Sequence, residues 1–148
     1  LKIAIGSDHR GFDLKARLSE MLTSGGYDVV DIGAESTDSA DYPDYAFPVA
    51  EMVASGKADR GILICGSGIG MSIAANKVRG VRAAFCRTID EARMTRLHND
   101  SNVLTLSETS MEDPSIEDLI RVWLETPFEG GRHQRRIDKI SSYEDGTA

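Results

Sequence analysis

The 148-residue chain carries 17 Lys and Arg against 24 Asp and Glu, a formal charge of −7 at pH 7. This length suits one domain, spanning 1–148, with a proper core, and the acidic balance argues against nucleic acid or an anionic membrane as a partner. No apolar run approaches the roughly 20 residues needed to span a bilayer, the run Ile3 to Ile5 is too short for a secretory signal, and Cys65 and Cys86 make no disulfide framework, so a reducing cytoplasm is the expected location.

Short apolar runs alternate with helical patterns along the chain. Lys2 to Gly6 reads as a buried strand. The next segment places Leu14, Leu18, Met21 and Leu22 on one helical face, and Ser24-Gly25-Gly26 stops it. Tyr27 to Ile32 reads as a second strand, residues 34–43 as a polar loop, and Tyr45 to Ser55 as a helix closed by Gly56. The most apolar strand, Gly61 to Cys65, runs into Gly66-Ser67-Gly68-Ile69-Gly70 and a helix over Met71 to Lys77. Arg82 to Cys86 is a fourth strand, Ile89 to Leu97 a helix, and Val103 to Leu106 a fifth strand. Pro114 sits near the start of a helix reaching Trp123 and Leu124, where proline is tolerated, and Pro127 ends it. A last basic segment, Arg132 to Tyr143, reads as helix. Strand–helix alternation with short connections means βαβ units. With right-handed crossovers these build a three-layer α/β/α Rossmann-like sandwich around a five-stranded parallel sheet, with an extra C-terminal helix. Ligands of such sheets bind at the C-terminal strand ends. Every candidate residue below is expected there or in the last helix.

The strongest local signal is Cys65-Gly66-Ser67-Gly68-Ile69-Gly70. Glycines without Cβ atoms let the backbone approach a ligand, and loop N–H groups at a helix start form an anion site. A mere tight turn is the plainer reading. No Gly-Lys-Ser/Thr follows, so this is no P-loop, and Met71 breaks both the dinucleotide fingerprint and a Cys-x5-Arg phosphatase loop. A helix start favours the thiolate form of Cys65 as base or nucleophile, against the commoner fate of a small buried residue; Cys86, without such a loop, reads as core. Asp8 and His9 follow the first strand and could bind hydroxyls or phosphate, or Ser7 or Asp8 could cap the next helix. His98, with Asn99 beside it, could act as acid or base near neutral pH. Arg132, His133, Arg135 and Arg136 form a basic cluster. Arg132 and Arg136, at i and i+4, share a face where a bound phosphate would relieve their repulsion, unless acidic neighbours do so. The cluster is too small for nucleic acid. The histidines are scattered and no Cys-x2-Cys occurs, so neither metal nor cofactor is expected.

Gly6-Ser-Asp-His9, Asp41-Tyr-Pro43, the run Gly61 to Lys77, His98-Asn-Asp100 and Glu129-Gly-Gly-Arg-His-Gln134 together resemble the type B ribose-5-phosphate isomerases, a family that includes allose- and galactose-6-phosphate isomerases. The resemblance runs in order along nearly the whole chain. It implies a Rossmann-like homodimer, or dimer of dimers, with sites shared between subunits, and a place in the pentose phosphate pathway. It implies that Cys65 moves a proton between C1 and C2 of a sugar phosphate, without metal, through a cis-enediolate. Ser67 and the backbone of Gly66, Gly68, Ile69 and Gly70 would hold the enediolate oxygen. His98 would assist ring opening, Asn99 would bind the intermediate, and Asp8 would contact the ring oxygen or hydroxyls. His9, Arg132 and Arg136 would bind phosphate, and Tyr42 would line the pocket. The chain departs from the family in two places. Thr109 stands where relatives often carry a phosphate-binding Arg, and Arg10 follows His9 where a small or apolar residue is common. The rival readings are the same reaction on allose 6-phosphate or galactose 6-phosphate, and a sugar-phosphate-binding module without catalysis.

Overall fold

The computed structural model describes residues 1–147. Its strands are Lys2–Ser7 (β1), Asp28–Gly33 (β2), Arg60–Cys65 (β3), Ala83–Phe85 (β4) and Val103–Ser107 (β5). Its α-helices are Phe12–Ser24 (α1), Pro43–Ala54 (α2), Ile69–Ala75 (α3), Ile89–Asn99 (α4), Ile116–Glu125 (α5) and Arg132–Glu144 (α6). All strand pairs are parallel, in the order β2-β1-β3-β5-β4. The expected α/β architecture with its C-terminal helix is the one observed.

Strand side chains alternate between the two faces of the sheet, and here the faces differ in size. Ile3, Ile5, Ile62, Ile64, Leu104 and Leu106 fill one face under α1, α4 and α5, together with Leu14, Leu18, Leu22 and Trp123. Ala4, Leu63, Cys65 and Val103 fill the other, under the small residues of α2 and α3 such as Ala46, Val49, Ala50, Ala74 and Ala75. Small side chains bring α2 close to the sheet: a Cβ on Gly61 would lie 2.9 Å from Val49 Cγ1. Trp123 is fully buried on the large-residue face, and its indole N–H donates to Ser101 Oγ at 2.9 Å.

Element ends move where side chains compete for the backbone. α2 starts earlier than the pattern suggests, at Pro43, because proline suits the first helical turn. α3 also starts early, since Gly68 precedes it at φ 78°. It ends before Lys77, where Asn76 turns its amide onto the neighbouring strand: Oδ1 accepts from the Ala83 N–H at 2.8 Å and Nδ2 donates to the Ala83 carbonyl at 3.0 Å. Glu108–Glu112 forms a 3-10 helix that the sequence pattern did not suggest, opened by Ser107 Oγ accepting from the Thr109 N–H at 3.2 Å.

Candidate active site

The chain passes from β1 outward to β2, then returns to place β3 on the other side of β1. The carboxyl ends of β1 and β3 therefore flank a topological switch point, the usual crevice of an open α/β sheet. The Asp8 N–H donates to the Ile64 carbonyl at 3.2 Å, tying the two ends together. A cleft of about 330 Å³ opens there, lined by Asp8, Arg10, Tyr42, Cys65, Gly66, Ser67 and Gly70.

Each glycine of the loop answers to a different neighbour. At Gly66 an added Cβ would stand 2.8 Å from an Arg10 guanidinium nitrogen, and at Gly70 it would stand 2.8 Å from the Tyr42 ring. Arg10 and Tyr42 thus press on the loop as the two walls of the cleft. Gly68 has positive φ and would strike Phe85 at 2.7 Å, so neither its conformation nor its space admits a side chain. The turn brings the Gly68 N–H to 3.2 Å from Cys65 Sγ, to which it donates. Cys65 is only 4% exposed, yet its atoms line the cleft. Cys86 is buried and does not line this cleft, and burial, then Glu91, pushes its thiol up to about 12.

Asp8 does not reach a helix in the expected way. Its Oδ1 accepts from the N–H groups of Arg10 at 3.0 Å and Gly11 at 3.2 Å, shaping the turn before α1, and no side chain caps that helix. Ser7 is buried and its hydroxyl makes no hydrogen bond. His9 Nδ1 faces the Ala40 backbone, 3.1 Å from its amide nitrogen and 3.2 Å from its carbonyl oxygen. Arg10 is paired with Glu108 at the start of the 3-10 helix. Ile69 and Thr109 line an adjoining cleft of about 560 Å³ that shares Gly66 and Ser67 with the first.

His98 and Asn99 are not at this end of the sheet, which corrects the expectation that every candidate outside the last helix lies at a C-terminal strand end. They close α4, whose next strand is β5, and a helix that returns the chain to a parallel sheet ends beside the strands' amino ends. They line a separate cleft of about 690 Å³ with Asn76, Arg82, His133, Arg136, Ile137, Ile140 and Tyr143. This cleft shares no lining residue with the Cys65 cleft. Arg132 is not among the residues that line it and pairs with Glu129 at 3.8 Å.

The histidines are also less scattered than the sequence suggests. His98 and His133 stack with ring centroids 4.2 Å apart, and Glu129 Oε2 faces both, 4.0 Å from His98 Nε2 and 3.8 Å from His133 Nε2. Burial, then Arg132, holds His133 below the usual histidine value. Glu129 and His133 lie inside the Glu129-to-Gln134 segment, whose sequence alone points to no joint role for them. Only the docking of α6 against the end of α4 brings them to His98.

Three comparisons bear on what these clefts do. The ribose/galactose isomerase family model matches residues 3–140. The ribose-5-phosphate isomerase B of Escherichia coli is 45% identical over 143 residues, covering 97% of this chain and 96% of the other. Among solved structures, ribose-5-phosphate isomerase B of Clostridium thermocellum superposes with a TM-score of 0.96 at 48% identity, covering 100% of both chains. The Mycoplasma genitalium enzyme, solved with bound ribulose-5-phosphate, superposes with a TM-score of 0.93 at 46% identity, covering 97% of this chain and 96% of that one.

Proposed function

Because this chain belongs to the ribose/galactose isomerase family, we propose that it interconverts ribose 5-phosphate and ribulose 5-phosphate, with each active site assembled from two copies of the chain. The observation that carries this reading is the division of the candidate residues between two clefts, one holding Cys65 and the other His98. Neither cleft alone holds both a base for the carbon acid and an acid for ring opening. A homodimer that sets the Cys65 cleft of one copy against the His98 cleft of its partner supplies both, and two-fold symmetry makes two such sites at once.

The chemistry then follows from the residues. In the His98 half, the imidazolium donates a proton to the ring oxygen while the C1 hydroxyl proton returns to the imidazole through water, giving the open aldehyde. In the Cys65 half, the thiolate removes the proton from C2, and the bonding pair forms the C1–C2 double bond while charge moves to O1. The loop from Gly66 to Gly70 and the Ser67 hydroxyl offer donors to that oxygen. The same thiol returns its proton to C1, and the O2 hydroxyl proton passes to O1, leaving the ketose. Nothing is oxidised or reduced overall. A positioned base supplies about 10² to 10⁴ in rate, and an oxyanion donor about 10² to 10³ more. Arg132, Arg136 and His9 hold the phosphate, with Arg10 in the role left open by Thr109. Remote phosphate binding of this kind orients the reacting carbons.

The test is turnover of ribose 5-phosphate by the purified chain in EDTA, read as ribulose 5-phosphate formed, beside allose 6-phosphate and galactose 6-phosphate. The proposal expects the highest kcat/KM on ribose 5-phosphate. A preference for a hexose phosphate would overturn the substrate, and binding without turnover on any of the three would overturn catalysis.

A further inference from the structure

We propose that His98, Glu129 and His133 form a binding site for a divalent transition metal ion, with Zn²⁺ the best match, and that the ion shuts off the half-site it occupies. The three side chains come from the end of α4, the turn before α6, and the first turn of α6. Each offers one ligand atom, and those atoms lie within 4.8 Å of one another. Ligand atoms around tetrahedral zinc, with bonds of about 2.0 to 2.2 Å, stand roughly 3.3 to 3.5 Å apart. Glu129 Oε2 is already at 3.8 Å and 4.0 Å from the two imidazole nitrogens. Closing on an ion takes a contraction of about half an ångström in the two carboxylate–imidazole distances and of up to about 1.4 Å in the widest separation, which a tilt of the His98 ring out of its stack supplies. His98, with its side chain 32% exposed, has room for that tilt.

A second observation points the same way. His133 is 94% buried, being 6% exposed, and its Nε2 has no hydrogen-bond partner while facing the carboxylate. Buried polar atoms are rarely left so, and a metal ion would use that lone pair. Arg132 holds the other carboxylate oxygen, Oε1, at 3.8 Å, which leaves Oε2 turned toward the histidines. An outer partner of this kind orients a ligand. Two imidazoles and one carboxylate suit Zn²⁺, Co²⁺ or Ni²⁺ rather than Mg²⁺ or Ca²⁺, which prefer all-oxygen sets. The cleft beside the cluster leaves a fourth position for water.

The inhibitory consequence rests on the acid role proposed above for His98: a nitrogen bound to an ion cannot deliver a proton. Binding itself does not depend on that role. The experiment strips the full-length protein with EDTA, removes the chelator, and titrates CoCl₂ by visible absorption and ZnCl₂ by calorimetry. The expected result is one ion per chain, displacement of Co²⁺ by Zn²⁺, and affinity lowered at least tenfold in both Glu129→Gln and His133→Ala. Cys65→Ala should bind as the parent does. Glu129 is half-exposed, so Glu129→Gln reports on the site without disturbing the core. No saturable binding, or binding kept by both ligand variants and lost in Cys65→Ala, would overturn the site. In parallel, Zn²⁺ should inhibit ribose 5-phosphate turnover at its own dissociation constant, reversibly with EDTA. Full activity with the ion bound would overturn the switch. Binding in a chain that turns over no sugar phosphate would sink the isomerase reading and leave the metal site standing.

Discussion

The Cys65 cleft is made of backbone, whereas the His98 cleft is made of side chains. Around Cys65 the chain has three glycines in five residues, and Arg10, Phe85 and Tyr42 press where their side chains would be. Asp8, Arg10 and the glycine loop follow the ends of β1 and β3, two interior strands of the sheet, and Tyr42 stands at the start of α2. The His98 cleft lies at the other end of the sheet, between α4 and the last helix, and its polar groups are long or stacked side chains: Arg82, Arg136, His98 and His133. Its apolar wall includes Ile140 and Tyr143, which are 50% and 80% exposed. A rigid backbone nest suits the step where charge builds on one oxygen, since preorganised donors need not move. Charged side chains suit phosphate capture and ring opening, and exposed apolar residues beside them suit contact with another copy.

Substitutions can break this contrast, beginning with the strongest. Cys65→Ala should lower kcat by about 10³-fold or more, with KM and the circular dichroism spectrum near those of the parent, because the base is removed and the nest stays. His98→Asn should cost less, about 10²-fold, since sugar rings also open without help. An equal loss from both would mean that the two clefts do not divide the work as described. Gly68→Ala should act on the fold as well as on the rate. Its φ of 78° and the Phe85 ring at 2.7 Å predict a loss of about 1 to 3 kcal/mol in denaturant unfolding, where alanine at an exposed position of α6 should cost under about 0.5 kcal/mol. The smallest effect is expected at Arg10. Arg10→Ala should raise KM for ribose 5-phosphate about tenfold with kcat within about twofold, the pattern of lost uniform binding. A fall in kcat with unchanged KM would instead place Arg10 at the enediolate.

The same contrast decides what the sequence could reveal. Strand and helix alternation was visible because strands such as Ile62 to Cys65 are apolar throughout and helices such as Leu14, Leu18 and Leu22 repeat on one face. The glycine loop was visible because its chemistry lies within six consecutive residues. Strand order is another matter, because alternation alone does not say that β3 crosses back beside β1. The position of His98 is not legible in the sequence for a related reason: whether a helix end lies at the top or bottom of a sheet depends on the crossover and not on neighbouring residues. Glu129 and His133 stand four residues apart, but His98 comes from the end of α4, so no local spacing joins it to them. The pairing of Arg10 with Glu108 likewise depends on β1 and β5 flanking β3.

The claim that two copies build one site is tested most directly by mixing two inactive variants. Cys65→Ala and His98→Asn homodimers each lack one half of every site. In a mixed dimer one site combines both lesions and the other combines two intact halves. Unfolded together at equal amounts and refolded, the pair should recover about a quarter of the parent's activity, because about half the dimers are mixed and half the sites in each are whole. Recovery of that size is the predicted result. Activity that stays at the level of the separate variants, with mixed dimers shown to form, would contradict the account.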